Sequence, residues 1–263
     1  MSGATFEPFE PRVAVASLSG ESDAAWARRA APHVGCTFMG GIALDAATRE
    51  AARAMVEDRD RTEFLPADPV EFVERELSEL ADAPVRGAFN VRTTTLDPLR
   101  RAAEICADRG AILEVNAHCR QDEICAAGGG ETLLRETDRL AEQVRTASGA
   151  GAAVSVKVRA EVDGVDLVTT ARACERAGAD VFHVDAMDSE PVIADLREAT
   201  DLFLIANNGV RDRETAHEYL GYGADAVSVG RPSDDPELLE RVRRAVEEWF
   251  EAHPPGPGGG VSV

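Results

Sequence analysis

The chain has 263 residues, of which 44% are apolar, and a formal net charge of -20. This length suits one large domain, and a single α/β barrel commonly needs about this many residues. No stretch of the sequence is apolar enough over a sufficient length to span a bilayer. Glu7 and Glu10 lie where a signal peptide would carry basic residues, so we expect a cytoplasmic protein.

Acidic residues are spread along the whole chain, and the basic residues are all arginines except for a single lysine, Lys157. This composition predicts an acidic, halophilic type of protein that stays soluble at high salt. The negative charge argues against generic binding to a phosphate backbone, because that affinity comes from Lys and Arg side chains. A very salty cell interior would weaken this objection, since salt screens both repulsion and attraction.

The chain contains five cysteines, an odd number without recurring short-spaced pairs, which disfavours a disulfide framework. Cys36, Cys106 and Cys174 fall in apolar patterns and are predicted to be small core residues. The spacing of His118, Cys119 and Cys125 fits no standard zinc pattern, so we predict no metal site.

Short apolar runs alternate with amphipathic helical patterns along the chain. Strands that are almost entirely apolar belong in a parallel sheet covered on both faces. Eight such repeats therefore predict an α/β fold, a single-domain (β/α)8 TIM barrel over residues 1–252. A doubly wound sheet is the alternative, and the lack of a Gly-x-Gly-x-x-Gly turn after the first strand disfavours it. Residues 253–263 are rich in Pro and Gly, which predicts a disordered tail.

The predicted strands cover residues 13–16, 33–39, 85–91, 112–115, 153–158, 180–184, 202–206 and 226–229. The predicted helices cover residues 23–31, 45–57, 70–80, 97–109, 131–147, 167–177, 192–200, 211–220 and 236–250.

Polar residues and glycines collect where the predicted strands end, which is where barrels of this kind carry their chemistry. His183 and Asp185 alternate on the sixth strand, and we expect one of them to point into the barrel and the other outward. The residues found at the strand ends are Ser17, Ser19, Asn90, Arg92, Asn116, His118, Cys119, Lys157, Arg159, His183, Asp185, Asp188, Asn207, Asn208, Gly209, Gly230 and Arg231.

The last two strand ends carry a phosphate-binding signal. Asn208-Gly209 and Gly230-Arg231 each place a glycine just after a strand and before a predicted helix. Glycine lets backbone N–H groups approach a phosphate, and a helix N-terminus adds partial positive charge. Barrels commonly bind phosphate at this position. The alternative is that these glycines serve only tight turns.

Lys157 stands at the end of the fifth strand in a chain that otherwise avoids lysine. An arginine would supply charge there, so the ammonium itself matters, through its compact donors or its adjustable pKa. Lys157 either donates to an electron-rich cofactor or forms a Schiff base with a carbonyl substrate. The remaining alternative is that Lys157 has no functional role and only forms an ion pair.

Cys119 lies in a polar turn between Asn116 and Arg120. An exposed thiol near cationic groups serves as an acid or a nucleophile. The alternative is an inert loop cysteine, because one thiol alone is a weak signal.

Five segments between residues 85 and 232 resemble the dihydrouridine synthases in the same order, and the set is similar to the related dihydroorotate dehydrogenases. The first combines a strand, Asn-x-x-Cys, a Gly-rich turn and a helix. The others are Val-x-Val-Lys-x-Arg, Ala-Gly-Ala-Asp, Ala-Asn-Gly and Gly-Ala-Asp-x-Val-x-x-Gly-Arg. The segments span residues 114–134, 154–159, 177–185, 205–210 and 224–231.

The resemblance implies an FMN flavoprotein, with NADPH or NADH as electron donor. In such enzymes reduced flavin gives a hydride to C6 of a uracil ring and a thiol protonates C5. The resemblance makes Cys119 the general acid and turns Asn116 and Arg159 toward the pyrimidine. It places Lys157 against the flavin ring, where the ammonium stabilises negative charge. The cofactor-binding residues that it implies are Ser17, Asn90, Lys157, Asp185 (in the place of a flavin-contacting His), and Asn208, Gly209, Gly230 and Arg231 at the phosphate.

Besides Asp185 in the place of a histidine, two features of the sequence depart from the family pattern. Arg120 replaces a proline after the cysteine, and the sequence after the barrel is too short for the helical domain that holds tRNA in typical members. The substrate therefore stays open between a free pyrimidine and tRNA, and the C5–C6 bond is either reduced or oxidised. Two other classes stay open: a phosphate-binding lyase or aldolase with Lys157 as Schiff base, and a divergent barrel without catalysis.

Overall fold

Eight parallel strands close into one barrel in chain order in the computed structural model, which describes residues 6–59 and 61–254. The predicted (β/α)8 TIM barrel is confirmed. Each strand pairs with the next along the chain, and the last strand pairs with the first. The strands are β1 Val13–Val15, β2 Cys36–Ala43, β3 Arg86–Arg92, β4 Ile112–Asn116, β5 Ala153–Arg159, β6 Val181–Asp185, β7 Phe203–Asn207 and β8 Ala226–Val229.

Helices follow the strands and cover the outside of the barrel. They are α1 Ala24–Ala30, α2 Ala46–Arg59, α3 Pro69–Glu79, α4 Leu96–Asp108, α5 Asp122–Ala126, α6 Thr132–Arg135, α7 Thr137–Gly149, α8 Leu167–Ala177, α9 Val192–Ala199, α10 Arg213–Gly221 and α11 Pro236–Ala252, with a 3-10 helix at Arg231–Asp234. The helix predicted over residues 131–147 is split into α6 and α7, because Glu136 leaves the helical region at φ -117°, ψ 58°. Across residues 6–59 and 61–254, no helix is both long and apolar enough to cross a membrane. Residues 255–263 of the predicted tail lie outside the described residues.

The sequence of α8 shows why these segments become helices. Asp166 caps its N-terminus by accepting a hydrogen bond from the backbone N–H of Thr169, and such a cap stabilises a helix by about 1 kcal/mol. Gly178 ends the helix in a left-handed conformation, at φ 100°. Leu167 and Cys174 recur at helical spacing on the buried face, so the helix covers the barrel with one apolar stripe.

Strand β2 continues through Gly40-Gly41, and the prediction that it ends there is wrong. Its pairing with β3 shifts by one residue between Gly40 and Ile42, which marks a bulge. Gly40 has φ 95°, and a Cβ atom at this position would clash with the carbonyl oxygen of Asn90. The glycines therefore allow a bulge inside the strand rather than ending it.

The barrel interior is apolar toward the amino ends of the strands and polar toward their carboxyl ends. Ile112 and Val181 belong to an interior apolar cluster, which Phe9 of the N-terminal segment joins. Residues two apart on a strand share a face. The next inward positions are Glu114 and His183, and both are fully buried. The polar layer therefore lies directly beneath the mouth formed by the strand ends.

Candidate active site

A buried carboxylate, Glu114 on β4, is the centre of the polar layer. It accepts hydrogen bonds from Asn90 Nδ2 at 2.7 Å and Ser155 Oγ at 2.9 Å, and its Oε2 is 2.8 Å from His183 Nδ1. Burial alone would raise the pKa of Glu114, but His183 and then Lys157 and Asn90 bring it below its usual value. Glu114 is therefore charged and held by neighbours from three other strands.

His183 extends this network across the barrel. Its Nε2 lies 2.7 Å from Ser228 Oγ, which lies 2.8 Å from Asn207 Oδ1. Burial lowers the pKa of His183, and the nearby carboxylate of Glu114 offsets part of that effect. The expectation that one of His183 and Asp185 points outward is wrong. The two residues are two positions apart on one strand and share its inner face.

Lys157 on β5 is buried, with 3% of its surface exposed. Its ammonium makes no hydrogen bond to any of the described residues, while its backbone oxygen accepts from Ala117 N at 2.9 Å. Burial lowers the pKa of Lys157, and the nearby carboxylates of Glu114 and Asp185 offset only part of that effect. A charged group with unused donors on a largely buried residue is unfavourable unless a partner compensates it. It is suited to a ligand that brings its own acceptor.

Asp185 at the end of β6 ties together three of the loops around the mouth. Its Oδ2 lies 2.7 Å from His118 Nε2 and 3.5 Å from Arg159, and its Oδ1 accepts from Asn208 Nδ2 at 2.9 Å. Burial would raise the pKa of Asp185, but the hydrogen bonds from His118 and Asn208 hold it well below its usual value. Burial lowers the pKa of His118, so a neutral ring donates its Nε2–H to this carboxylate.

Cys119 lies in a turn that Asn116 holds in place. Asn116 Oδ1 accepts hydrogen bonds from the backbone N–H groups of Cys119 at 2.9 Å and His118 at 3.2 Å. The Gly-rich segment packs against the other side of the turn, where Glu131 N donates to the Cys119 carbonyl at 2.8 Å. Gly130 has φ 58°, and a Cβ atom on it would clash with the same carbonyl. The half-buried thiol is therefore presented by a well-defined loop.

The β7 loop has an unusual backbone at Asn208 and Gly209, which both have positive φ, 79° and 73°. A Cβ atom added to Gly209 or to Gly230 in the β8 loop would meet no atom within 4 Å. Both loops therefore border open space. The helices predicted over residues 211–220 and 236–250 are present as α10 and α11, but neither begins directly at the glycine, and a short 3-10 helix follows Gly230. Any anion held here would rely on loop N–H groups rather than on a helix N-terminus.

Several predicted site residues come together at this mouth. Arg159 and Asn208 contact Asp185, and Asn116 Nδ2 donates to Asn90 Oδ1 at 2.8 Å. Asn90 itself is fully buried beneath the mouth. Ser17 is half-buried on the β1 exit loop and Arg231 is exposed. Among the described residues, neither of these two side chains makes a hydrogen bond or an ion pair with the group around Asp185. The ligand-binding roles of all these residues stay predictions.

Sequence reasoning missed Glu114, Ser155 and Ser228 as members of the site, and it singled out His183 without finding its partners. The available signal was the composition of β4, Ile-Leu-Glu-Val-Asn, in which one carboxylate interrupts an apolar strand. A charge in a strand buried on both faces needs partners on neighbouring strands. Lys157, already singled out, is one of those partners.

Comparison with known proteins places this geometry in a family. The dihydrouridine synthase (Dus) family model matches residues 62–257. An uncharacterized protein of Methanocaldococcus jannaschii is 29% identical over 241 residues, covering 84% of this chain and 89% of that protein. The catalytic subunit of dihydroorotate dehydrogenase B (NAD(+)) of Shouchella clausii is 25% identical, covering 68% of each. The tRNA-dihydrouridine synthase B of Xanthomonas axonopodis pv. citri is 27% identical over 159 residues, which is 55% of this chain and 48% of that enzyme. These matches identify an oxidoreductase, and the chain belongs to the dihydrouridine synthase family.

Proposed function

We propose that the protein is an FMN-dependent oxidoreductase that acts on the C5–C6 bond of a pyrimidine ring. The observation that carries the proposal is Lys157, a buried residue whose ammonium makes no hydrogen bond to any of the described residues. It lies between two charged carboxylates, Glu114 and Asp185, at the mouth of the barrel. An anionic, electron-rich ring would provide the acceptor that the protein itself does not.

The residues at the mouth suit FMN in charge, and two of the loops leave open space for it. Gly209 and Gly230 border open space, and Arg231 is exposed beside Gly230 with its charge available for a phosphate. Asp185, which stands in the place of a flavin-contacting His, is compensated by His118, Arg159 and Asn208. Its charge therefore does not oppose a cofactor that becomes anionic on reduction.

The residues of the chain divide the work as follows. Asn208, Gly209, Gly230 and Arg231 hold the phosphate, and Lys157 stabilises negative charge on the ring, with Ser17, Asn90 and Asp185 around it. Bound FMN supplies hydride transfer, with NADPH or NADH as the source of electrons. Cys119 supplies the proton as a general acid. General acid catalysis typically increases a rate by about 10²–10⁴-fold. Asn116 and Arg159 contact the pyrimidine.

The test of cofactor binding is the absorbance spectrum of the full chain purified at high salt. We expect a yellow protein with a band at about 450 nm, from which heat releases FMN. Lys157→Met should weaken FMN binding by about tenfold or more, because a charge-assisted contact is lost. The control is Arg197→Met, which removes a cation paired with Asp225 instead. A colourless protein that does not take up added FMN would refute the proposal.

The substrate is tested by supplying the loaded protein and a reductant with uracil, orotate or unmodified tRNA in parallel. Reduction of one of these at the C5–C6 bond would separate a small-molecule enzyme from an RNA-modifying one. The reverse assay supplies the dihydro forms with an electron acceptor. If the protein converts none of these pyrimidines, the proposed substrate class is wrong and only the proposed FMN binding stands.

A second candidate is a phosphate-binding lyase or aldolase, and the lowered pKa of Lys157 favours it because a neutral amine is nucleophilic. Borohydride with a carbonyl substrate would then attach a stable adduct to Lys157. Lys157→Arg separates the two candidates, since an arginine keeps the positive charge, and with it part of the affinity for FMN, but forms no Schiff base.

A further inference from the structure

Asn207, the last residue of β7, carries a side-chain amide that the function proposed above does not use. Only 6% of the residue is exposed. Its Oδ1 accepts a hydrogen bond from Ser228 Oγ at 2.8 Å, whereas its Nδ2 makes no hydrogen bond to any of the described residues. This nitrogen does not belong to the fully buried polar atoms of those residues that lack a partner, so it reaches the space at the mouth. A donor of this kind is suited to an acceptor on a bound ligand.

The amide of Asn207 is not free to turn, because the polar layer beneath holds its oxygen. Ser228 is the register partner of Asn207 on β8, and its Oγ also lies 2.7 Å from His183 Nε2. The other ring nitrogen of His183 lies 2.8 Å from the carboxylate of Glu114. Side chains from β4, β6, β8 and β7 therefore form one hydrogen-bonded chain that ends at the mouth.

The number of protons in this chain determines which end of the amide faces the mouth. A charged Glu114 only accepts, so Nδ1 of His183 carries a proton. If Nε2 of His183 is protonated as well, the single proton of Ser228 goes to Asn207 Oδ1, and the N–H group of Asn207 faces the mouth. If Nε2 is unprotonated, Ser228 donates to His183, and Asn207 turns to donate to Ser228 with its carbonyl at the mouth. The amide therefore offers a donor or an acceptor, and His183 sets which.

Asn207 and Lys157 both adjoin His183. Lys157 is the register partner of His183 on β5, and Asn207 is linked to His183 through Ser228. Strands β5 and β7 are two strand spacings apart, about 10 Å. A planar ring system of the size of isoalloxazine can therefore reach both Lys157 and Asn207. The loop proposed to hold the phosphate begins with the next residue, Asn208.

We propose that Asn207 is a further cofactor-binding residue: its side-chain amide hydrogen-bonds the ring of FMN, in an orientation that Ser228 fixes. This inference rests on the proposed function, because it names a residue for the same cofactor. The reduced ring carries negative charge, and an N–H group turned toward it stabilises that charge. The oxidised ring is neutral and gains less from the same N–H group, so Asn207 favours the reduced form.

The first test is Asn207→Asp, which keeps the size of the side chain but only accepts hydrogen bonds and brings negative charge to the ring. We expect the affinity for reduced FMN relative to oxidised FMN to fall by about tenfold or more, since a hydrogen bond to a charged group is lost. The bound flavin then becomes harder to reduce, because its reduction potential reports this ratio of affinities. Reductive titration of the full chain against a reference dye measures the potential. An unchanged potential would overturn the inference.

Asn207→Ala removes the amide without adding charge, and it is the deciding variant if Asn207→Asp does not fold. We expect its affinity for oxidised FMN to fall by about 2- to 10-fold, as for one neutral hydrogen bond. Quenching of flavin fluorescence on binding measures this affinity. A value equal to that of the wild type would overturn the inference.

Two buried serines separate the orientation of Asn207 from general stability. Ser228→Ala removes the hydroxyl that holds Asn207, whereas Ser155→Ala removes a hydroxyl that donates to Glu114 Oε2 at 2.9 Å. Ser228→Ala should lower the affinity for FMN, by a smaller factor than Asn207→Ala, and Ser155→Ala should leave it close to the wild-type value. Equal losses in the two serine variants would overturn the role of Ser228 in orienting Asn207.

The wild type separates this inference from the proposed function. A wild-type protein that takes up no FMN would overturn both. A yellow wild type whose bound flavin has the same potential as that of Asn207→Asp would overturn the role of Asn207 alone.

Discussion

Asp185 Oδ1 accepts a 2.9 Å hydrogen bond from Asn208 Nδ2, so a carboxylate at the end of β6 fixes the β7 loop. The same carboxylate lies 2.7 Å from the ring of His118 in the β4 loop. The loop proposed to hold the phosphate and the loop that carries the thiol are thus held by one side chain. Substitution of Asp185 should therefore disturb both the β7 loop and the β4 loop.

We expect Asp185→Asn to weaken FMN binding by about tenfold, because the hydrogen bonds to His118 and Asn208 lose the charge that strengthens them. Titration of FMN into the apoprotein, followed by flavin fluorescence, measures this. The matched control is Asp225→Asn, a second buried carboxylate in an ion pair, directly before β8 and so at the opposite end of the barrel. An equal loss of affinity in both variants would mean that the effect is a general loss of stability.

The hydrogen bonds to Asp185 also predict that the stability of the protein depends on pH. The folded state holds the pKa of Asp185 below its ordinary value, so its contribution to stability is present above about pH 4 and is lost as pH falls through the folded value. The difference in unfolding free energy between the wild type and Asp185→Asn should therefore shrink as pH falls below about 4. Urea unfolding at several pH values tests this, and a difference that grows toward acid would contradict it.

Lys157→Met should make the apoprotein more stable although it weakens FMN binding. The lowered pKa of Lys157 shows that the fold disfavours its charged form, and apolar replacement of a poorly compensated buried charge stabilises proteins by about 1–4 kcal/mol. The unfolded chain binds more protons at this site than the folded chain. The wild type should therefore be less stable than Lys157→Met by an amount that becomes smaller as pH rises. Thermal unfolding without cofactor at neutral and alkaline pH measures both effects. A less stable Lys157→Met variant would mean that Glu114 and Asp185 depend on the ammonium.

Much of the barrel follows from the sequence, because each strand is an apolar run bounded by helix caps and glycines. The Gly40-Gly41 bulge did not follow, since its glycines serve a contact with the backbone of Asn90 that only the pairing of β2 with β3 creates. At the mouth, Lys157 and Cys119 are visible as unusual residues in the sequence. His183 was singled out as well, but Glu114 lies inside an apolar strand, and the pairing of the two joins residues 69 positions apart. The register of the strands around the closed barrel determines which residues from distant strands meet. Local sequence patterns do not specify that register.

Cys119→Ala should reduce turnover by about 10²–10⁴-fold, because a positioned proton donor contributes this much. FMN binding should stay the same, since Cys119 is proposed to serve the pyrimidine and not the cofactor. Steady-state kinetics and the flavin spectrum separate the two. Cys125→Ala, in the same loop, is the control and should keep its activity. Equal losses in the two variants would indicate that the loop, rather than the thiol, matters.

Gly130→Ala should damage the cysteine turn far more than Gly164→Ala. Both glycines have positive φ, 58° and 77°, so each alanine incurs a similar backbone strain of about 1 kcal/mol. They differ in space, because a Cβ atom on Gly130 would clash with the Cys119 carbonyl while one on Gly164 would meet no atom within 4 Å. Gly130→Ala should therefore shift Cys119 and lower turnover beyond its effect on the unfolding temperature. Gly164→Ala should lower only the unfolding temperature, by a few degrees at most. If the two variants lose activity equally, the close packing of Gly130 under the Cys119 turn does not position the thiol.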